Sequence, residues 1–303
     1  MQKTVVFILS PGHSGSTLLG HFLGAHERAM HLGEICTALN LGAPIKCYFC
    51  GETPCPVWGG IVPLPLLRGC WRGYRLSLRP RLRLMLPFGL RLGYCEPPGR
   101  LFDVVFAAFP RTDVLVDSSK STGWAAWNAR AGGYRTLFLL LIRDLRPLAV
   151  TYMRLFGQGI EQATRSAVQR LQIYRDFLAK QEPADCVQLR YEDLVSHPAE
   201  VGARLCERLG LDFEPSMLEY YRRPQHNFAG NPGPNAVVRL HHGGDPGPIL
   251  ARVDRANRDY YRLENLDTAF RLDERWRGHL SAEMEMQFRR IGGSLNRELG
   301  YDD

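Results

Sequence analysis

Residues 5–23 read VVFILSPGHSGSTLLGHFL, and the remaining chain is expected to build on this unit. The first five residues are apolar, with β-branched and aromatic side chains among them, which predicts a buried parallel strand. The next eight residues are small, turn-forming or hydroxyl-bearing, and the apolar residues after them recur at helical spacing. The stretch therefore predicts a strand, a short loop and a helix.

The loop of this unit predicts an anion site. Backbone N–H groups of such a loop and the positive end of the following helix favour a bound phosphate or sulfate. Ser14, Ser16 and Thr17 add hydroxyl donors. The loop is not a Walker A sequence, because Ser16 directly follows Gly15 and no lysine stands between them. An ordinary Gly/Ser turn is the alternative interpretation.

Composition sets broad limits on the function. A chain of 303 residues could form one large α/β domain or two small ones, and we predict a single domain over 1–303. The net charge of +7 favours an anionic ligand or surface, but it does not choose among nucleotide, nucleic acid and membrane. Because neither a secretory signal nor a membrane-spanning apolar run is evident, a soluble, cytoplasmic protein is expected.

Three of the eight cysteines, Cys47, Cys50 and Cys55, lie close together in the sequence. A Cys-x-x-Cys pair beside glycine resembles half a zinc knuckle. No second matching pair follows, so reduced, packed cysteines are favoured over structural zinc. If zinc is bound, its fourth ligand is expected among the following residues: Cys36, Cys70, Cys95 and His31.

Charged side chains follow three predicted strands. Glu34 comes after a short strand, Lys120 follows the strand over 114–117, and Arg143 ends the apolar strand over 136–142. The carboxyl ends of parallel strands share one edge of a sheet, where ligands bind. We therefore expect all three side chains near the anion loop, although a solvated surface role for Glu34 is the alternative.

Residues 41–98 interrupt the α/β pattern and predict an inserted cap within the domain. Its arginine-rich part, 68–94, alternates basic and apolar residues. Such a pattern is a candidate for contact with a membrane surface or an amphiphilic substrate, while a solvated face with a packed reverse side is the alternative. The remaining chain predicts a strand over 186–190, a loop over 225–235, and helices over 123–130, 160–180, 198–210 and 273–299.

Several separated motifs together resemble the sulfotransferase family, which transfers a sulfuryl group from 3′-phosphoadenosine 5′-phosphosulfate (PAPS). Residues 14–19 (SGSTLL) are similar to the family's 5′-phosphosulfate loop, and Arg143-Asp144-x-Arg146 with Thr151 to its 3′-phosphate motif. Residues 189–198 (LRYEDLVSHP) are typical of the family as well. So are residues 117–120 (DSSK) and the Cys-Gly…Cys-Pro-x-Trp run ending at Trp58, which resemble bacterial members.

The resemblance implies an α/β fold in which a central parallel sheet is flanked by helices, the P-loop nucleoside-triphosphate-hydrolase-like sulfotransferase fold. It also implies PAPS as co-substrate. The implied cofactor-binding residues are Gly12, His13, Ser14, Gly15, Ser16, Thr17, Arg143, Thr151, Tyr191 and Asn231. Two positions depart from the family, because His13 replaces a lysine or arginine and Thr151 replaces a serine.

The implied catalytic residues are Glu34, Lys120 and His13. Gly33-Glu34 is similar to the Gly-Glu pair that supplies the base in tyrosylprotein sulfotransferases, so Glu34 is expected to take the acceptor's proton. Lys120 and His13 are expected to meet charge on the leaving phosphate, in an in-line displacement that requires no metal.

The expected acceptor is a hydroxyl of a small molecule, sugar or lipid, with no nucleic acid partner. The oligomeric state is not predicted. A nucleotide-dependent kinase on a related fold and a non-catalytic nucleotide-binding protein are the alternatives.

Overall fold

The computed structural model describes residues 2–41, 47–78, 94–251 and 270–301, and within them the chain forms one parallel sheet. The strand order is β2-β3-β1-β4-β5. The strands are β1 (Thr4–Leu9), β2 (Ala29–Gly33), β3 (Val114–Asp117), β4 (Arg135–Ile142) and β5 (Cys186–Arg190). The predicted α/β class with a central parallel sheet is confirmed.

Strand β1 lies at the centre of the sheet because it is apolar on both faces. It pairs in parallel with β3 and β4, so that Val5 lies beside Leu115 on one side and Thr136 on the other. Side chains of a strand alternate between the two faces. Val5 and Phe7 accordingly join one buried cluster, whereas Val6 and Ile8 join the other. Both faces are covered, as a parallel sheet requires.

Helices cover the sheet and connect its strands. In the first half of the chain they are α1 (Ser16–Gly24), α2 (Ile35–Leu41), α3 (Pro56–Ile61), α4 (Leu64–Ser77), α5 (Arg100–Ala108) and α6 (Thr122–Asn128). In the second half they are α7 (Leu145–Phe156), α8 (Ile160–Leu178), α9 (Tyr191–Ser196), α10 (Pro198–Leu209), α11 (Pro232–His241), α12 (Gly247–Leu250), α13 (Ala282–Phe288) and α14 (Ser294–Glu298). None of the helices in the described ranges is both long and apolar enough to cross a bilayer.

The structure differs from the sequence prediction at two places late in the chain. Residues 232–235 were expected in a loop but form the first turn of α11. Asn231 caps this helix, because its Oδ1 accepts a hydrogen bond from Gly233 N at 3.0 Å, and Pro232 suits the first helical position. The helix expected over 273–299 is broken, because Ser281 caps a new helix by accepting from Met284 N at 3.2 Å.

The described part of the 41–98 segment belongs to the same hydrophobic core as the sheet. Trp58, Leu67 and Tyr74 are buried and join the cluster that contains Val5. Helices α3 and α4 pack against α2, α5 and α6. Residues 79–93, which carry much of the arginine-rich pattern, lie outside the described residues. The predicted contact of this segment with a membrane surface or an amphiphilic substrate stays a prediction.

Candidate active site

The anion loop lies where the sequence predicts it, between β1 and α1. His13 (φ 70°) and Gly15 (φ 94°) both adopt left-handed backbone conformations. Turns that include such residues can direct successive backbone N–H groups toward one bound anion. The Ser14 hydroxyl is buried and makes no hydrogen bond within the described part of the chain. Since buried polar groups normally have a partner, this hydroxyl is suited to an anionic ligand.

Position 15 requires glycine for two reasons, the left-handed backbone conformation and the closeness of the Tyr191 ring. A Cβ atom built on Gly15 would lie 2.5 Å from Cδ2 of Tyr191, which packs its ring against the loop. The Tyr191 hydroxyl donates to the Arg271 carbonyl at 3.1 Å, so the ring is fixed at both ends. Tyr191 was predicted to line the nucleotide pocket, and the structure places it directly beside the loop.

We expect Gly15→Ala to lower the free energy of unfolding by about 2 kcal/mol or more. The left-handed conformation costs a non-glycine residue roughly 1–2 kcal/mol, and overlap with the Tyr191 ring adds a packing penalty. Gly12→Ala is the matched control in the same loop, since a Cβ there would meet no described atom within 4 Å. Urea denaturation should show a change within about 0.5 kcal/mol for the control. Equal losses in both variants would contradict this account of Gly15.

Arg143 at the end of β4 points to the anion loop. The residue is 8% exposed, and Nη1 donates to the His13 carbonyl at 2.9 Å. The guanidinium lies over the Tyr191 ring, 4.5 Å from its centre, and 3.7 Å from a carboxylate oxygen of Asp273. The predicted approach of Arg143 to the loop is therefore present in the structure. Asp273 was not predicted, because 130 residues separate it from Arg143 and no motif marks it.

Glu34 and Lys120 meet at the same edge of the sheet. Lys120 Nζ donates to Glu34 Oε1 and lies 3.5 Å from the Ser16 hydroxyl of the loop. Both side chains of the ion pair are about one-fifth exposed, and Thr37 Oγ1 donates to the second Glu34 oxygen at 3.2 Å. The structure thus brings the expected base, the expected cation and the anion loop together.

Buried Asp117 shapes the turn that presents Lys120. Its carboxylate accepts hydrogen bonds from Ser119 N at 2.7 Å and from Trp124 Nε1 at 2.8 Å. Burial raises the pKa of Asp117 to about 6, although these hydrogen bonds act in the opposite direction. Lys120 itself has a left-handed φ of 56°, and its carbonyl accepts from the Tyr174 hydroxyl at 2.9 Å. The Lys120 backbone is therefore anchored on both sides.

His13 differs from the lysine or arginine that the resemblance implies at its position. Desolvation within the loop and the positive charges of Lys120 and Arg143 lower the pKa of His13 from its ordinary value of 6.5. His13 is nevertheless accessible to solvent. His13 is therefore neutral at pH 7 in this structure, and it becomes a cation only as the pH falls.

We expect the affinity for 3′-phosphoadenosine 5′-phosphate (PAP) to depend on pH through His13. Since the lowered pKa leaves the ring mainly neutral at pH 7.5, acidification through that pKa adds a positive charge beside the anion loop. One charged hydrogen bond corresponds to about a tenfold gain in affinity. Calorimetric titration should show this gain in the wild type relative to His13→Gln, which also corrects for protonation of the PAP phosphates. Parallel pH profiles for the two proteins would contradict the prediction.

Asn231 contacts the anion loop, whereas the Thr151 hydroxyl bonds within its own helix. The backbone N–H of Asn231 donates to Thr17 Oγ1 at 2.9 Å, which connects the start of α11 with the loop. The Thr151 hydroxyl donates to the Pro147 carbonyl of its own helix at 2.8 Å. The nucleotide contacts expected of both residues stay predictions.

A cavity of about 300 Å³ borders Arg143 on the side away from β2, between the ends of β4 and β5. Its walls contain both acidic and basic side chains. They are formed by Arg143, Asp144, Arg146, Pro147, Arg190, Glu192, Leu272, Asp273, Glu274, Trp276, Arg277, Gly300 and Tyr301. This volume is at the lower end of what ligand pockets offer, so a fragment of a nucleotide could reach Arg143 from this side.

The clustered cysteines have a partner that was not predicted. Ligand atoms of Cys47, Cys50, Cys55 and His226 all lie within 4.8 Å of one another. The sequence analysis expected the fourth ligand among Cys36, Cys70, Cys95 and His31. This expectation was wrong, because His226 is the residue that joins the three cysteines. The buried His31, for example, uses Nε2 to bond the Ser118 hydroxyl at 3.0 Å. His226 escaped prediction because it lies 171 residues after Cys55, in a loop without a recognisable spacing.

Comparison with known proteins gives one family match. Residues 135–215 match the model of the sulfotransferase family. This range contains β4, Arg143, Thr151 and Tyr191, so the match covers much of the predicted 3′-phosphate motif. No curated protein matches the chain.

Several solved structures are similar to this one. The sulfotransferase domain from the curacin biosynthetic pathway is 20% identical, with 99% of this chain and 98% of that chain covered and a TM-score of 0.49. The sulfotransferase domain of the Synechococcus PCC 7002 olefin synthase is 19% identical, with 100% and 96% covered and a TM-score of 0.48. Retinol dehydratase, in complex with androsterone and the inactive cofactor PAP, is 15% identical, with 97% and 81% covered and a TM-score of 0.41.

The family match agrees with the sequence motifs. These motifs lie on one parallel α/β sheet with an anion loop. The match over residues 135–215 supports the resemblance to sulfotransferases that the sequence motifs indicate.

Proposed function

We propose that the enzyme transfers a sulfuryl group from PAPS to an acceptor hydroxyl, with Glu34 as general base. The observation that carries this proposal is the position of Lys120, whose ammonium contacts both Glu34 and Ser16 of the anion loop. A base and a cation beside an anion site are what in-line transfer from a phosphosulfate requires. Acceptor and donor would meet at this point.

The loop and Arg143 supply the donor site. Loop N–H groups and the hydroxyls of Ser14, Ser16 and Thr17 bind the 5′-phosphosulfate. Arg143 binds the 3′-phosphate, which distinguishes PAPS from ATP, and Thr151 adds a hydroxyl to that contact. Tyr191 and Asn231, which flank the loop, line the remaining nucleotide pocket. Catalysis then depends mainly on positioning and on preorganised donors.

The transfer step uses Glu34 and Lys120 together. The acceptor oxygen forms a bond to sulfur while the bond between sulfur and the bridging phosphate oxygen breaks, and PAP leaves with that electron pair. Glu34 takes the proton that the acceptor hydroxyl loses. Lys120 meets the negative charge that develops on the leaving phosphate, with His13 assisting when it is protonated. Protein groups provide the whole of this step.

Transfer of a labelled sulfuryl group tests the proposal. The purified chain is incubated with ³⁵S-labelled PAPS and a panel of phenols, sugars, lipids and alkyl alcohols, and labelled products are counted. Label in at least one acceptor, with an equal amount of PAP released, is the expected result. PAP binding without turnover on any acceptor would favour the non-catalytic alternative. Magnesium-dependent ATP turnover without PAP binding would favour the kinase.

A further inference from the structure

Four possible metal ligands converge from two distant segments, at a place that the transfer chemistry does not use. Cys47, Cys50 and Cys55 come from the segment before α3, and His226 comes from the loop before α11. Nδ1 of His226 lies 3.5 Å from Cys47 Sγ and 3.3 Å from Cys55 Sγ, while the sulfurs of Cys50 and Cys55 are 3.7 Å apart. The four ligand atoms enclose one point.

These separations agree with tetrahedral coordination of a single ion. With Zn–S near 2.3 Å and Zn–N near 2.05 Å, a regular tetrahedron places two sulfurs about 3.8 Å apart and a sulfur and a nitrogen about 3.6 Å apart. The three distances given above lie within about 0.3 Å of these values, and the other pairs of ligand atoms lie within 4.8 Å of each other. A disulfide needs sulfurs about 2.05 Å apart, and all three cysteines are free.

The turn between the cysteines is preorganised for such a site. Gly51 follows the Cys-x-x-Cys pair with a left-handed φ of 77°, and its N–H donates to the Cys47 carbonyl at 2.9 Å. A Cβ at this position would lie 2.5 Å from Nη1 of Arg239, so the end of that side chain would have to move. Glycine is the residue that accepts this conformation without cost. The turn therefore keeps its shape through its own backbone and its contact with α11.

We propose that Cys47, Cys50, Cys55 and His226 bind one Zn²⁺ ion as a structural site. Three cysteine sulfurs and one imidazole nitrogen, all within 4.8 Å of one another, are a ligand set that zinc prefers. Because four protein ligands complete the coordination, no position stays open for a substrate or water, and the role is structural. The sites of transfer and of metal binding are therefore distinct.

The zinc site would fasten the cysteine segment to the loop beside Glu34. His226 is tied to that segment a second time, because Trp58 Nε1 donates to the His226 carbonyl at 3.0 Å. Two residues later the same loop reaches β2, where Phe228 N donates to the Leu32 carbonyl at 2.8 Å. Glu34 N then donates to the Ala229 carbonyl at 3.3 Å. The ligand His226 is thus only three residues from Ala229, whose carbonyl bonds the Glu34 backbone.

Metal analysis of the purified chain tests this proposal. About one zinc per chain is expected by mass spectrometry, and replacement by Co²⁺ should give the visible absorption of tetrahedral cobalt with thiolate ligands. Cys50→Ser and His226→Gln should each weaken zinc binding by more than 100-fold, since even the loss of an outer hydrogen-bonding partner costs 10–100-fold. Cys95→Ser, which changes an exposed cysteine outside the cluster, should keep the wild-type zinc content.

A wild-type chain that takes up neither zinc nor cobalt would overturn the proposal, as would full zinc content in Cys50→Ser and His226→Gln. If these variants do not fold, the wild-type stoichiometry and the cobalt spectrum decide alone. A chelator should also lower the midpoint of thermal unfolding of the wild type but not add to the effect of His226→Gln. None of these measurements uses PAPS, so the zinc site and the transferase activity can fail independently.

Discussion

Glu34→Gln is expected to lower kcat by about 10²–10⁴-fold, the usual contribution of a positioned general base. Glutamine keeps the size of the side chain but cannot take a proton from the acceptor. The structure gives Glu34 the surroundings that this role requires. Its carboxylate contacts the Lys120 ammonium and the Thr37 hydroxyl, at the edge of the sheet where the anion loop lies.

The same variant should bind PAP with nearly wild-type affinity, because the proposed role of Glu34 concerns the acceptor and not the nucleotide. Glu27→Gln, which changes an exposed glutamate before β2, is the control and should leave both kcat and affinity unchanged. The acceptor should be an alkyl alcohol, since an acidic phenol ionises without a base and would conceal the loss. A kcat within a few-fold of wild type for Glu34→Gln would show that another group takes the proton.

The parallel sheet and the gathering of charged groups at its edge could be predicted because both follow local rules. Apolar runs predict buried strands, and the carboxyl ends of parallel strands must share an edge. Glu34 and Lys120 are 86 residues apart, yet β2 and β3 pair side by side, so their strand ends bring them into contact. Placing the predicted strands in parallel was therefore enough to predict that Glu34 and Lys120 lie close together.

Other features could not be predicted, because they depend on how loops pack. His226 joins the cysteines only through the path of the loop before α11, and no spacing rule connects positions 171 to 179 residues apart. Asp273 reaches Arg143 in the same way, from a segment near the end of the chain. The start of α11 was missed because an asparagine followed by proline is typical both of a turn and of a helix cap, and here Asn231 caps the helix. Tertiary contacts decided these cases.

Arg143→Ala is expected to weaken PAP binding by about 2–5 kcal/mol, or roughly 30- to 4,000-fold, with a smaller effect on the transfer step once the nucleotide is bound. Arg143 is almost fully buried, and its guanidinium is held between the Tyr191 ring, Asp273 and the His13 carbonyl. Because the guanidinium is already held in place, it loses little side-chain entropy when it binds the 3′-phosphate. Its removal leaves that phosphate without a charged partner.

The structure also gives Arg143 a second role, which the experiment must separate from the first. Because Nη1 donates to the His13 carbonyl, the alanine variant could loosen the anion loop itself. Calorimetric titration with adenosine 5′-phosphosulfate, which lacks the 3′-phosphate, isolates that effect. If Arg143 binds the 3′-phosphate, PAP affinity falls by the full amount while adenosine 5′-phosphosulfate affinity changes little. Arg204→Ala, on the exposed face of α10, controls for loss of positive charge. An equal loss for both ligands would assign Arg143 to the support of the loop and refute its contact with the 3′-phosphate.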